Sequence, residues 1–396
     1  MSMWPFETGV SIRLKKDKET LLKNRNRWLY SGAIGSGLDR CQPGDLVTIC
    51  THEGEAVAVG FANPTGTLSV RVLSFEQTVW TEKDMYRSLD EAFRHRRDTL
   101  SENTCTRLVH AEADGLPGLI VDWYAGVIVF QASTAGMQRL KLLIAAYICS
   151  EWKARACIEN TDISFLKQEG IENVQTLFMG DVPEKVTIRE HGLQYYVDVL
   201  DSQKTGFYLD QSDNRKRVIQ LVKSGQTLLN GCAFTGGFSV AAAAQGVTTV
   251  SVDVSKKALA LAKENFQLNH LDAAQHRFVV SDIFDFLTQD KMLYDTLIID
   301  PPAFAKKADH LPQAIKAYTQ LHTLALRRLT PGGYLLTCSC SHALDWGKYE
   351  SVIRHASVQS GRNLRICGRY IQPLDHPILA THPESEYLRT FLLRVT

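Results

Sequence analysis

The stretch LLTCSCSH at residues 335–342 is a short apolar strand that ends in two thiols, Cys338 and Cys340. A second apolar stretch, IIDPPAF at residues 298–304, ends in the carboxylate Asp300 and a Pro-Pro turn. In open α/β sheets, ligands bind beyond the carboxyl ends of the strands. We therefore expect both stretches to be strands of one sheet, with Asp300 and the thiols facing one cleft.

The chain on either side of these stretches alternates between strand and helix patterns from about residue 190 onward. Helical patterns cover residues 256–269 and 313–329, and Pro-Gly-Gly at 331–333 closes the second. Such alternation predicts a parallel sheet covered by helices on both faces, the doubly wound form of an α/β domain. The predicted strands are residues 227–230, 248–253, 277–280, 296–300 and 334–337.

Two further units are predicted upstream. Residues 8–76 contain several short alternating strands between turn signals, which favours a small β-barrel. Residues 80–190 combine strands and helices but carry no catalytic cluster. A chain of 396 residues is expected to form two or three domains. We place their boundaries at 1–78, 79–190 and 191–396.

Composition narrows the class of protein. The chain is 44% hydrophobic and 22% charged, which is typical of soluble globular proteins. It has no apolar run long enough to span a bilayer and no signal-peptide pattern at its start, so we expect a cytoplasmic protein without membrane partners. The nine cysteines are scattered without a CxxC pair, which predicts neither a disulfide framework nor a metal site.

Local charge differs from the average. The net charge is only +1, so the chain as a whole gives no nucleic-acid signal. A basic cluster nevertheless lies near the start, and it is either an RNA-binding surface or an ordinary solvated face. Its members are Arg13, Lys15, Lys16, Lys18, Lys23, Arg25 and Arg27.

A cofactor loop is predicted after the first strand of the doubly wound domain. Residues 230–238 read NGCAFTGGF, and their glycines allow a ligand to approach the backbone closely. Asp253, at the end of the second strand, could bind ribose hydroxyls. Asp282, after the third strand, could accept a hydrogen bond from an adenine amino group. Each acid alone could instead be a turn or helix-cap residue. The pattern suits NAD(P) or S-adenosylmethionine, and the missing GxGxxG disfavours the dinucleotide.

The target atom depends on the thiols. Asp-Pro-Pro-aromatic turns also occur in amino-group methyltransferases, so residues 300–304 leave nitrogen and carbon targets open. Carbon-5 of cytosine becomes nucleophilic only after a thiolate adds to C6, and a base must then remove the C5 proton. Cys338 and Cys340 favour this chemistry, although either could be a core cysteine. Strand alternation places both on one face and does not separate them.

Seven segments together resemble the bacterial 23S rRNA cytosine-5 methyltransferase family that carries an N-terminal PUA domain, over nearly the whole chain. They are residues 27–33, 112–119, 204–211, 234–238, 300–302, 339–341 and 375–377. The resemblance implies a Rossmann-like class I methyltransferase sheet preceded by a PUA-like β-barrel and a small α/β linker domain. It also implies S-adenosyl-L-methionine as cofactor and ribosomal RNA as partner; a homodimer is left open. Because the target base must leave its stack, which costs least in unpaired RNA, we expect a preference for naked or incompletely assembled rRNA.

The resemblance also assigns residues. Cys340 is the implied nucleophile, Asp300 would hold the flipped base through its ring nitrogen or its amino group, and Cys338 is read as support. Some other RNA cytosine-5 methyltransferases carry a second cysteine, which takes part in product release, at the position that Pro302 occupies here. Relatives tend to carry a phenylalanine at the position of Cys232. The base that removes the C5 proton is unassigned. The predicted cofactor-binding residues are Tyr208, Gln211, Asn230, Ala233, Phe234, Thr235, Gly236, Gly237, Phe238, Asp253, Asp282, Ile283 and Asp300. The predicted RNA-binding residues are Arg13, Lys15, Lys16, Arg25, Arg27 and Trp28.

Three other functions stay open. The first is an RNA methyltransferase acting on a purine nitrogen through the Asp-Pro-Pro motif, which needs no thiol. The second is a nicotinamide-dependent oxidoreductase. The third is an RNA-binding assembly factor without catalysis, which the intact Asp253, Asp282, Asp300 and Cys340 disfavour.

Overall fold

The computed structural model describes residues 4–6, 9–100, 103–171, 176, 178–200, 205–304 and 308–396. The chain divides into two compact units. The first unit comprises Met1–Ile188, Val197–Leu209 and Leu374–Ser385, and the second comprises Arg189–Tyr196, Asp210–Pro373 and Glu386–Thr396. No helix in the described ranges is long and apolar enough to cross a membrane. The division into three domains stays a prediction, and the inclusion of Leu374–Ser385 in the first unit was not foreseen.

The first unit begins with a six-stranded sheet in the order β2-β6-β5-β4-β1-β3, in which only the β1–β4 pair is parallel. Alternate residues such as Ile12 and Leu14 on β1, and Val70 and Val72 on β6, point into one buried cluster. The expected β-rich unit is confirmed. Its elements are β1 (Val10–Leu14), α1 (Glu19–Lys23), β2 (Trp28–Tyr30), β3 (Ile34–Ser36), β4 (Leu46–Cys50), β5 (Ala56–Ala62) and β6 (Leu68–Ser74).

A second sheet of the first unit has the order β11-β10-β9-β8-β7. Helix α2 starts with a capping box in which Thr81 and Asp84 satisfy each other's backbone N–H groups, and its last turn is basic, which suits the helix dipole. A separate two-stranded sheet is formed by β12 and β13, of which Arg189–Tyr196 are assigned to the second unit. The elements are α2 (Glu82–Arg96), β7 (Cys105–His110), β8 (Leu119–Tyr124), β9 (Val127–Ala132), α3 (Ala135–Trp152), β10 (Ala156–Glu159), α4 (Ile163–Gln168), β11 (Phe178–Gly180), β12 (Lys185–Glu190) and β13 (Leu193–Asp198).

Asp375, from the predicted motif at 375–377, is a buried acceptor within the first unit. Its Oδ2 accepts from the Thr106 hydroxyl and from the Arg107 backbone N–H, both at 3.0 Å, and its Oδ1 lies 2.8 Å from His376 Nδ1. Burial alone would raise the pKa of Asp375, but the charge and hydrogen bond of His376, with the other two donors, lower that pKa to about 2. The carboxylate therefore stabilises the folded unit in its ionised form.

We expect Asp375→Asn to lower the free energy of unfolding by about 2 kcal/mol at neutral pH, because a drop of the pKa from 3.8 to about 2 corresponds to roughly that energy. A carboxyl whose pKa is lower in the folded than in the unfolded state stabilises the fold at pH values above the unfolded-state pKa. The difference in unfolding free energy between wild type and Asp375→Asn should therefore shrink as pH falls from about 4 to about 2. Urea-induced unfolding, monitored by tryptophan fluorescence, measures this free energy, since five of the six tryptophans lie in the first unit. The exposed Asp39→Asn is the control, and an equal penalty at neutral and acidic pH would contradict the prediction.

The second unit is built on a seven-stranded sheet in the order β16-β15-β14-β17-β18-β20-β19. Strands β14 to β18 are parallel, and the order reverses between β14 and β17, the position at which ligands bind in such sheets. The elements are α5 (Ser212–Leu221), β14 (Thr227–Gly231), α6 (Gly237–Ala243), β15 (Thr248–Asp253), α7 (Lys256–Leu268), β16 (Arg277–Val280), α8 (Ile283–Gln289), β17 (Tyr294–Ile299), α9 (Leu311–Arg327), β18 (Leu329–Ser339), α10 (Trp346–Ser360), β19 (Leu364–Tyr370) and β20 (Arg389–Val395).

Consecutive residues of the central strands enter cores on opposite faces of this sheet. Leu297 of β17 packs in a cluster with α8, α9 and α10, whereas the next residue, Ile298, packs in a cluster with α5 and α6. Leu335 and Leu336 of β18 divide in the same way. This explains why the strands are continuous apolar runs rather than alternating ones.

Two details of the predicted sheet were wrong. The sheet is mixed, because β20 runs antiparallel to β18 and β19 antiparallel to β20. Helix α9 ends at Arg327, and Leu329 already belongs to β18, so the Pro-Gly-Gly segment lies inside the strand. Gly332 has φ +81° there, and the register of β18 with β17 shifts between Tyr294 and Thr296. This shift accommodates the Pro-Gly-Gly segment within the strand.

Candidate functional site

The loop after β14 has an unusual backbone. Cys232 and Phe234 have φ of 59° and 48°, in the left-handed region that side chains rarely adopt, and Gly236 follows at 78°. Two bonds hold the loop: the Ala233 N–H donates to the Val252 carbonyl at 2.9 Å, and the Phe234 N–H donates to Asp253 Oδ2 at 2.8 Å. Such concentrations of strained backbone are typical of ligand-binding segments.

Two buried polar atoms border this loop without a partner among the described residues. They are the amide oxygen of Asn230, whose Nδ2 donates to Ser239, and the hydroxyl of Thr235. A buried polar atom without a hydrogen bond is costly, so both atoms are suited to a polar ligand. Gly231 lies beside them, and a Cβ there would lie 2.7 Å from Ile283 Cδ1, so the Ile283 side chain would have to shift.

The charges of the three predicted acids all act on the thiol of Cys232 in the loop after β14. Burial is the largest cause, followed by the nearby charges of Asp300, Asp253 and Asp282 in that order, and together they raise the pKa of the Cys232 thiol to about 12. Asp282 is also the N-cap of α8, where its Oδ1 accepts from the Phe284 N–H at 2.7 Å. The structure thus gives Asp282 the helix-cap role that the sequence left open, and its contact with adenine stays a prediction.

The remaining predicted cofactor residues divide between the units. Gly237 is the first residue of α6, and Phe238 and Ile283 are buried in the two cores beside the loop. Tyr208 belongs to the first unit, and its cofactor contact stays a prediction. Of the motif at 204–211, Lys204 lies outside the described residues. An orphaned amide oxygen, an orphaned hydroxyl and three carboxylates at strand ends fit a nucleoside with a charged amino-acid tail.

The two thiols differ sharply in environment. Cys338 lies inside β18 with no exposed surface, and burial, with the charge of Asp300, holds the pKa of its thiol well above its usual range. Cys340 lies one residue beyond the end of β18 and is partly exposed. Because the strand ends at Ser339, Cys340 is presented at the edge of the sheet whereas Cys338 is enclosed by it. None of the nine cysteines, all of them described, forms a disulfide.

A buried tyrosine supports the turn that carries Cys340. The Ser339 hydroxyl donates to the Tyr318 hydroxyl at 3.1 Å, and Ser341 Oγ lies 3.3 Å from the same oxygen. Burial raises the pKa of Tyr318 to about 12, so it is neutral at physiological pH and is unsuited to removing a proton. Its ring also packs on Phe304 at 4.7 Å, which connects the Asp-Pro-Pro turn to the Cys340 turn.

Asp300 receives a hydrogen bond that the sequence did not reveal. Gln211, predicted as a cofactor-binding residue, is buried, and its Nε2 donates to Asp300 Oδ2 at 2.8 Å. The sequence motif at 204–211 had marked Gln211 as a site residue, but its hydrogen-bond partner Asp300 lies 89 residues further along the chain. Asn214 and Tyr318, which contact this region, carried no signal in the sequence.

The basic cluster lies in the first unit and is only partly available. Arg13, Lys15 and Lys16 are exposed, whereas Arg25 forms an ion pair with Glu76 at 2.8 Å. Arg27 donates to the carbonyls of Val72 and Leu73, and burial lowers its pKa. Trp28 Nε1 donates to Glu112 at 2.9 Å. Both residues are partly buried and pack within the unit. The contacts of Arg27 and Trp28 with RNA stay predictions.

Comparison with known proteins agrees with this geometry. Residues 107–377 match the family described as S-adenosylmethionine-dependent methyltransferase, and residues 12–75 match a PUA-like domain. The Ribosomal RNA large subunit methyltransferase I of Aliivibrio fischeri (strain MJ11) is 34% identical over 395 residues, which cover 98% of this chain and 99% of that protein. Its namesake from Enterobacter sp. (strain 638) is 32% identical over 98% of this chain and 100% of that protein.

Solved structures agree in fold. A putative S-adenosylmethionine-dependent methyltransferase from Streptococcus mutans, 22% identical, has a TM-score of 0.83 and covers 98% of this chain and 100% of that one. A putative methyltransferase in complex with SAH, also 22% identical, has a TM-score of 0.84 with the same coverage. The class I methyltransferase fold, the PUA-like domain and S-adenosylmethionine as cofactor are confirmed. The chain therefore belongs to the S-adenosylmethionine-dependent methyltransferase family.

Proposed function

We propose that this protein methylates carbon-5 of a cytosine in large-subunit ribosomal RNA through a covalent Cys340–C6 adduct. The observation that carries the proposal is the position of Cys340 and Asp300. Each follows the last residue of one of two neighbouring parallel strands, β18 and β17, paired through Thr337 and Ile299. A nucleophile and a base-holding carboxylate at adjacent strand ends suit a ring carbon activated by covalent addition.

The proposed reaction assigns a step to each group. The Cys340 thiolate forms a bond to C6, which makes C5 electron-rich. The bound cofactor supplies a methyl group activated on a sulfonium. C5 forms a bond to this methyl group as the bond from the methyl to the sulfonium sulfur breaks, which leaves a neutral thioether. A base then removes the C5 proton, the C5–C6 double bond re-forms and the bond between C6 and the Cys340 sulfur breaks, which returns the thiolate. Asp300 holds the pyrimidine, and the Pro301-Pro302 turn fixes the backbone beside it.

The RNA class follows from the relatives and the first unit. Two curated relatives are named Ribosomal RNA large subunit methyltransferase I, and the PUA-like domain carries exposed Arg13, Lys15 and Lys16. The target base must leave its stack, which costs a few kcal/mol and is cheapest in unpaired RNA, so naked or partly assembled 23S rRNA is the preferred substrate in the cytoplasm. A homodimer stays a prediction that sedimentation of the full chain would test.

The test is bisulfite sequencing of a 23S rRNA transcript incubated with S-adenosylmethionine and either the wild-type protein or Cys340→Ala. The expected result is one newly protected cytosine that is absent with the variant. Methyl label in the RNA without a protected cytosine would overturn the cytosine proposal and favour a purine nitrogen reached through the Asp-Pro-Pro turn. Absence of label would overturn the choice of RNA.

Binding to this RNA should depend steeply on salt, because phosphate contacts release counterions. Replacing Arg13, Lys15 and Lys16 together by alanine should flatten the slope of log affinity against log salt by about 2, at roughly 0.7 per phosphate contact on single strands. A filter-binding titration measures the slope. A control variant removes three other exposed charges of the first unit, Lys83, Arg94 and Lys167. Equal slopes of log affinity against log salt for wild type and the triple variant at Arg13, Lys15 and Lys16 would contradict an RNA-binding role for the basic cluster.

A further inference from the structure

The side-chain amide of Gln211 decides what the Asp300 carboxylate receives. An amide carries a donor on its nitrogen and an acceptor on its oxygen, so its orientation matters. In the structure Nε2 faces Asp300 at 2.8 Å, and Gln211 is only 3% exposed, which leaves the hydrogen bond little competition from water. The neighbours of Gln211 therefore determine the hydrogen-bonding state of Asp300.

Those neighbours form a series of hydrogen bonds with one possible direction. Gln211 Oε1 accepts from Asn214 Nδ2 at 2.7 Å, and Asn214 Oδ1 accepts from Arg217 Nη1 at 3.4 Å. A guanidinium has donors only, so the series must run from Arg217 to Asn214, then to Gln211, and finally to Asp300. Turning the Gln211 amide around would place nitrogen against nitrogen at Asn214 and oxygen against oxygen at Asp300.

Cys338 reinforces the same direction. Its buried thiol is protonated, because burial and the charge of Asp300 hold its pKa well above the usual range. The sulfur lies 3.8 Å from Gln211 Oε1 and 3.3 Å from the Thr390 hydroxyl, which also accepts from Asn214 Nδ2 at 3.1 Å. The thiol thus gives Gln211 Oε1 a second donor. This explains a buried cysteine two residues before Cys340 without giving it a chemical step.

We propose that Gln211 is a positioning residue that holds Asp300 as an ionised acceptor, so that Asp300 accepts from the exocyclic amino group of the target cytosine rather than donating to its ring nitrogen. The inference rests on the proposed function and deepens it. Cytosine carries a donor on its amino nitrogen, whereas uracil presents an acceptor at the same place. An ionised Asp300 therefore favours cytosine and repels uracil.

The test compares single-turnover methylation by four full-length proteins: wild type, Gln211→Met, Asn214→Asp and the exposed-site control Gln267→Met. The substrates are the mapped 23S transcript and the same transcript with uridine at the target. Gln211→Met removes the donor, and Asn214→Asp keeps Gln211 but draws its Nε2 away from Asp300. Both should lower the rate on cytidine by about tenfold to a hundredfold, as for a lost hydrogen bond to a charged group. Both should also narrow the ratio between cytidine and uridine, and Gln267→Met should resemble wild type.

Two readouts separate positioning from other roles. The dissociation constant for S-adenosylmethionine should be unchanged in Gln211→Met, whereas a tenfold rise would assign Gln211 to the cofactor and overturn the proposal. In an Asp300→Asn background, Gln211→Met should have no further effect on rate, because Gln211 acts through Asp300. Full additivity, or an unchanged cytidine-to-uridine ratio, would also overturn it. If the wild-type protein protects no cytosine, the proposed function fails instead.

Discussion

Cys340→Ala is expected to slow methyl transfer by about a thousandfold or more, because the variant cannot form the bond to C6 that activates C5. Its affinity for S-adenosylmethionine should match wild type, since the predicted cofactor loop at 230–238 lies after a different strand. Cys338→Ala should cost about tenfold, because it removes one donor to Gln211 and leaves the nucleophile in place. Single-turnover rates with radiolabelled cofactor measure all three proteins.

A trapping experiment identifies the nucleophile directly. RNA with 5-fluorocytidine at the target cannot lose a proton from C5, so a covalent protein–RNA adduct should persist under denaturing electrophoresis. Wild type and Cys338→Ala should give the adduct, and Cys340→Ala should give none. An adduct that survives in Cys340→Ala and disappears in Cys338→Ala would reverse the assignment of the two thiols.

The position of the site was predictable because parallel strands present their carboxyl ends together. Asp253 and Asp300 each lie at or directly after a strand that local apolar patterning identified, and the sheet order brings them to one edge. The switch point between β14 and β17 then follows from topology rules alone. Antiparallel β19 and β20 were missed. β19 is an edge strand with mostly exposed residues and has no continuous apolar run, whereas β20 is largely buried between β18 and β19, and local patterning does not show that it runs antiparallel to them.

What the sequence left open depended on boundaries and on distant partners. Strand alternation made Cys338 and Cys340 equivalent, and only the end of β18 at Ser339 separates them. Arg27 and Trp28 look like an exposed basic-aromatic pair, but their partners lie 45 and 84 residues further along the chain. Local patterns carry no information about contacts at that separation, so neither the packing of Arg27 nor the bond from Gln211 to Asp300 could be predicted.

The main stability prediction for the second unit concerns the buried ion pair between Arg215 and Glu190. Arg215 on α5 donates from Nε and Nη2 to the two carboxylate oxygens of Glu190, at 2.6 and 2.8 Å, and neither side chain is more than 3% exposed. The planar guanidinium matches the carboxylate in a two-point contact. Removing one partner leaves the other charge buried without its counterion, which is far more costly than the pair is stabilising.

We therefore expect Arg215→Met to lower the free energy of unfolding by about 3–5 kcal/mol, measured by urea unfolding with far-UV circular dichroism. The matched control is Arg277→Met, which breaks the pair of a half-exposed Arg277 with Asp290 at 3.9 Å and should cost less than about 1 kcal/mol. The double variant Arg215→Met/Glu190→Gln should recover part of the loss, because no unpaired charge then remains. A double variant no more stable than Arg215→Met would mean that lost packing of the arginine stem, rather than the stranded Glu190 charge, sets the cost.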